Sequence, residues 1–139
     1  SGADLVAQQI GGLALVERDP FRAEALQISL PSLLIFSATS IPERKTATHS
    51  HLDRLREQGF PSSFSSLLEA LRASSHRAVQ AVRSEDLSGL GQEMNLYGSL
   101  LHQHGLESAA TTALRTEISQ MPEVLGVKGS GALQTDALV

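Results

Sequence analysis

Cysteine and tryptophan are absent from the 139 residues, and aromatic side chains make up only 4% of an otherwise ordinary globular composition. Without cysteine there is no disulfide, no thiolate nucleophile and no cysteine-ligated zinc. The same absence fits a reducing compartment, read as the cytoplasm. Basic residues are outnumbered, 11 Lys and Arg against 15 Asp and Glu, which gives a formal net charge of −4 with no basic cluster. Nucleic acid, whose binding needs a positive footprint, is not an expected partner. No apolar run approaches the roughly 20 residues of a membrane span, so no membrane partner is expected either. The N-terminus carries no signal-peptide pattern. The sequence starts on Ser1 rather than methionine and stops on the apolar Ala137-Leu138-Val139, and it reads as a piece of a longer protein.

What is present is enough for one domain over residues 1–139, long enough to bury a single core. Ile10 to Val16, with a glycine pair near its start, reads as a strand, and Ala25 to Leu30 alternates with period two. Leu33 to Phe36 is a short apolar run that reads as a buried strand, and Asp19-Pro20 and Pro31-Ser32 punctuate these segments. The period then changes. Pro42 opens a polar helix to about Gln58, and Ser62 or Ser63 caps an amphipathic helix marked by Phe64, Leu67, Leu68, Leu71, Ala78, Val79 and Val82. Leu87, Leu90, Met94, Tyr97, Leu101 and His104 mark a third helix, stopped by Gly105. A fourth runs from about Ser108 to Gln120 with Ala110, Ala113, Leu114 and Ile118 inward, and Val124–Val127 with Ala137–Val139 predict a final hairpin. Strands, then helices, then strands again predict an α+β layer, with helices on one face of an antiparallel sheet.

The densest chemical signal lies near the C-terminus, where Gly126, Gly129 and Gly131 fall within six residues around Lys128 and Ser130. Such a loop lets the backbone approach a bound group and aim N–H donors at an anion, although glycine loops also serve as plain turns. Ser1-Gly2-Ala3-Asp4 sets a carboxylate directly after a Ser-Gly turn, so the two chain ends read as two walls of one site. On the bare residues Asp4 is a helix N-cap before Leu5-Val6-Ala7. Lys45, Thr46 and Thr48 follow the third strand, and on the residues alone a solvated helical face explains them better than substrate contact does. The pairs His49/His51 and His102/His104 sit two residues apart, which points their rings to different helix faces and makes no metal clamp. Glu93 and Asn95 read as an exposed polar face, Met94 and Tyr97 as core.

Together these pieces resemble the C-terminal domain of the GHMP small-molecule kinases, the superfamily of galactokinase, homoserine kinase, mevalonate kinase and phosphomevalonate kinase. Ser1-Gly2-Ala3-Asp4 followed by Gly11-Gly12 looks like the family's S-G-x-D segment and the glycine pair of its next strand. Leu90-Gly91-Gln92-Glu93-Met94-Asn95, with Leu100-Leu101 and Gly105-Leu106, is similar to the helix L-G-x-x-M-N…L-L…G-V. Gly126-Val127-Lys128-Gly129-Ser130-Gly131 stands in the place of the third motif, G-A-K-x-T-G-x-G-x-G-G, but is shorter and continues as Leu133-Gln134-Thr135-Asp136. The family's nucleotide loop, G-L-G-S-S, is absent from these residues.

The resemblance implies a ferredoxin-like α+β fold and the substrate side of an ATP-dependent kinase acting on a metabolite hydroxyl. It implies Asp4 as the base, and Ser1, Gly2, Lys45, Thr48, Lys128, Gly129, Ser130 and Gly131 as substrate or phosphate contacts, with no metal ligand among them. Mg-ATP would belong to the complete enzyme and none would bind these residues alone, which are expected to be inactive by themselves. The implied partners are the protein's own N-terminal nucleotide-binding domain, a small alcohol and, for the isolated domain, a second copy in a homodimer. Two alternatives stay open: a diphosphomevalonate decarboxylase with the same architecture, and a non-catalytic ligand-binding or interaction module.

Overall fold

The computed structural model describes residues 3–26, Asp53, Glu57, 64–130 and 137–138. In chain order these form helix α1 (Ala3–Ile10), strands β1 (Leu13–Arg18) and β2 (Phe21–Leu26), helices α2 (Phe64–Arg83), α3 (Leu87–Gln103) and α4 (Ala109–Ile118), and the short strands β3 (Gly129–Ser130) and β4 (Ala137–Leu138). The architecture is α+β, with antiparallel strands and packed helices. β1 and β2 pair antiparallel from Leu13↔Leu26 to Arg18↔Phe21, and α1 packs against this hairpin. α2 and α3 lie against each other, and the Arg83 guanidinium at the end of α2 reaches back to Glu24 on β2 at 2.9 Å.

The N-terminal strand starts later than its hydrophobicity suggests. Ile10 is the last residue of α1, whose end is closed by the Gly11 N–H on the Ala7 carbonyl, and Gly11 and Gly12 both have left-handed φ, at 71° and 64°. Two successive left-handed residues turn the chain from helix to strand, a conformation that glycine adopts without steric cost. β2 begins at Phe21, directly after the turn at Asp19-Pro20. The segments Leu33–Phe36 and Ser62-Ser63 lie outside the described residues. Of the stretch read as a polar helix only Asp53 and Glu57 are described, both helical and exposed.

The core along α2 is built from Leu67, Ala81 and Val82, with Ser74 fully enclosed and its hydroxyl satisfied by the Glu93 carbonyl at 3.2 Å. Leu68, expected inward, is 52% exposed because it sits one position round the helix from Leu67. In α4 the buried residue is Thr111, while Ala110 and Ala113 face out. The most buried positions of α3 are not its large apolar residues but Gly91 and Gly98, for reasons given below.

Gly105 stops α3 as its sequence position predicts. With φ 66° it lets its own N–H reach His102 O at 3.0 Å and the Leu106 N–H reach Leu101 O at 2.9 Å, and Leu106 is buried behind them. The end of α2 has the same geometry built around Glu85, at φ 57°, with Glu85 N–H on Val82 O and Asp86 N–H on Ala81 O. A side chain in that backbone region costs roughly 1–2 kcal/mol relative to glycine. Glu85→Gly should therefore raise stability by about 1 kcal/mol, read as a higher urea midpoint at unchanged slope. A lower midpoint would show that the Glu85 side chain does something its exposure conceals.

Candidate functional site

The segment leading to β3 is laid across α3 by three residues of that helix. Gly91 comes first: a Cβ there would collide with the Leu125 carbonyl, and a Cβ on Gly126 would collide in turn with the backbone of Gly91. The two segments touch backbone to backbone, which only a pair of glycines permits. One helical turn on, Asn95 binds the segment on both sides of Gly126. Its Oδ1 accepts the Val127 N–H at 3.0 Å and its Nδ2 faces the Leu125 carbonyl at 3.4 Å. Val127 is thereby buried, 3% exposed.

Tyr97, two residues further, receives the next side chain. The Lys128 ammonium lies over its ring, 5.3 Å from the centroid, within reach of a cation–π attraction. Lys128 Nζ also donates to the Gly129 carbonyl at 3.0 Å. Among the described residues no carboxylate pairs with it. Burial pushes the Lys128 amine below the ordinary lysine range and the Tyr97 phenol above the ordinary tyrosine range. Lys128 is thus a shielded cation without a fixed anionic partner among its described neighbours, rather than a solvated lysine in a turn.

Of the residues read as substrate contacts, Gly129 and Ser130 are not free loop residues. They form β3, paired antiparallel with β4 through Gly129↔Leu138 and Ser130↔Ala137, and Leu138 is buried. The expected final hairpin is present, but Val124–Val127 precedes its first strand instead of forming it. Asp4 is the second residue of α1, so it is part of the helix and not its cap. Ser1, Gly2, Lys45, Thr46, Thr48 and Gly131 lie outside the described residues.

Two polar residues of α3 have assignments other than a solvated face. Asn95 is the loop clamp just described. Glu93 takes both arms of the Arg77 guanidinium from α2, at 2.6 and 2.9 Å, and that pairing holds its carboxyl below the usual range. His102 ties α3 to α4 through Thr112 Oγ1, 3.1 Å from its Nδ1. Among the described residues no group of three or more His, Asp or Glu side chains converges on one point.

The Asn95 contact had one available signal, its spacing of four residues from Gly91, which puts both on one helix face. What lay opposite that face, 30 residues on, was not in the spacing.

No protein-family profile matches the chain, and no curated protein matches its sequence. Among solved structures, that of L. major mevalonate kinase in complex with R-mevalonate is similar, with a TM-score of 0.83 and 24% sequence identity. The likeness covers 99% of this chain and 42% of that one. Over nearly its whole length, therefore, the chain has the α+β fold found in that 42% of a mevalonate kinase.

Proposed function

We propose that this chain is the substrate-side, C-terminal domain of an ATP-dependent kinase of the mevalonate kinase type, phosphorylating the hydroxyl of a small metabolite. The observation that carries the reading is the 0.83 TM-score over 99% of the chain, joined to the ordered motif matches along it. Fold alone does not fix function. The added support is local: a shielded Lys128 without a described carboxylate partner stands beside the glycine segment, which suits an anionic group of substrate or transferred phosphate.

In this reading Mg-ATP, held mainly by the N-terminal domain, supplies the phosphoryl group. Asp4 orients the substrate hydroxyl and accepts its proton as the oxygen bonds to phosphorus and the bond to the departing diphosphate breaks. Ser1 and Gly2, which precede Asp4 in sequence, contact the substrate or its phosphate. Lys45, Thr48, Lys128, Gly129, Ser130 and Gly131 line the substrate and phosphate, and Lys128 offsets the developing negative charge from its station over Tyr97. The complete protein would be soluble and cytoplasmic.

The test uses the complete protein. ADP release with Mg-ATP is followed across mevalonate, phosphomevalonate, homoserine and a sugar panel. Turnover on one alcohol is expected, with kcat about 100-fold lower in Asp4→Asn, the low end for loss of a general base. Carbon dioxide release would move the assignment to a decarboxylase. A folded protein that is silent across the panel and binds no ATP would overturn it.

A further inference from the structure

The contacts of α3 with the segment before β3 point to a residue that acts through Lys128. We infer that Asn95 is a positioning residue: by bonding the backbone on both sides of Gly126 it fixes the register that sets Lys128 on Tyr97 and aims the following residues. Its consequence for turnover rests on the kinase reading above.

The inference stands on geometry. Residues 125–128 belong to no helix or strand, so their path is not set by a backbone ladder. Contact with Gly91 fixes how closely they approach α3 but not where along it they stop, since a backbone can slide past a glycine. Asn95 removes that freedom. An amide side chain carries a donating NH2 group and an accepting carbonyl oxygen at fixed positions, and here they meet the Leu125 carbonyl and the Val127 N–H, groups two residues apart on the same stretch of chain. A shift of the segment by one residue would offer them the wrong partners. Lys128 follows immediately after Val127, and Tyr97 lies two positions after Asn95, so the register set at Asn95 is delivered to the lysine with no residue between. The depressed basicity of Lys128 agrees with this placement, because an amine released to solvent would lose the cause of its depression. Burial of Val127 adds an apolar plug on the same segment, and holds it near the helix without dictating register.

The test compares wild type and Asn95→Ala in the complete protein by two readouts. The first is the pH midpoint for acetylation of Lys128 by acetic anhydride, followed peptide by peptide in the mass spectrometer. In wild type the midpoint lies below that of an unstructured lysine-containing peptide carried as an internal standard, and in Asn95→Ala it rises to meet it. The second is turnover with the alcohol of that panel that wild type accepts: kcat falls about tenfold to a hundredfold, as a misplacement on the order of 1 Å does, while KM changes less. Asn95→Asp keeps the acceptor for Val127 and is expected between the two. An unmoved Lys128 midpoint in Asn95→Ala would overturn the inference, whatever kcat does. A lowered kcat with the midpoint unmoved would make Asn95 a contributor by another route. If wild type turns over no alcohol, the kinase reading fails, and the midpoint still decides whether Asn95 places Lys128.

Discussion

Arg115→Ala should cost about 3–5 kcal/mol of stability, a large part of the roughly 5–15 kcal/mol that holds a domain of this size. Arg115 on α4 and Glu107 just before it form an ion pair that is nearly removed from water, with the two side chains 11% and 4% exposed. The guanidinium Nε lies 3.0 Å from Oε1, and its terminal nitrogen 3.1 Å from Oε2. Thr112 supplies a further donor, its hydroxyl 2.8 Å from Oε2. The arginine stem packs on α3 where Gly98 leaves room, since a Cβ there would come within 3.1 Å of Arg115 Cδ and Nε. Deleting the guanidinium strands a carboxylate in this enclosure, and the cost is mostly that of the orphaned charge rather than the worth of the pair. Two further variants separate these. Glu107→Ala alone should be comparably costly, while replacing both by apolar residues of similar volume should recover much of the loss. Urea unfolding followed by circular dichroism measures all three. A single-variant loss under 1 kcal/mol would mean that the pair behaves like a solvent-exposed bridge.

Gly126→Ala is expected to cost about 4 kcal/mol, near the upper limit for point substitutions. The methyl would enter the backbone of Gly91, and a backbone in mid-helix has no rotamer by which to withdraw. Gly91→Ala drives its methyl into the Leu125 carbonyl and should cost a similar amount. The two losses should not add. Either methyl forces the segment away from the helix, and once it has lifted, the second methyl meets open space. The double variant therefore unfolds at a denaturant concentration close to that of the worse single one. Strict additivity would mean that the two glycines sit in separate contacts.

These sites show what a lone sequence could and could not deliver. The stop at Gly105 and the turn at Asp19-Pro20 are local matters, decided by one or two residues and their neighbours, and were readable for that reason. The length of α2 followed from its apolar period. α3 defeated the rule that large apolar residues mark the buried stripe, because its buried positions are Gly91, which meets the backbone of Leu125, and Gly98, which makes room for the Arg115 side chain. Glu93 and Asn95 looked solvated because nothing adjacent in sequence is their partner; Arg77 and Val127 meet them only after folding. Lys128 likewise became more than a turn lysine only once Tyr97 lay under it.

Asp86 belongs to two helices at once. Its N–H bonds to the Ala81 carbonyl at the end of α2, and its carboxylate takes the Gly89 N–H at 2.9 Å at the start of α3. One residue is therefore a splice, and the two helices are joined as a hinge-free elbow with no slack to lend. Anyone permuting this chain, splitting it for complementation or inserting a tag should cut elsewhere, because a new terminus at this point would fray both helices together.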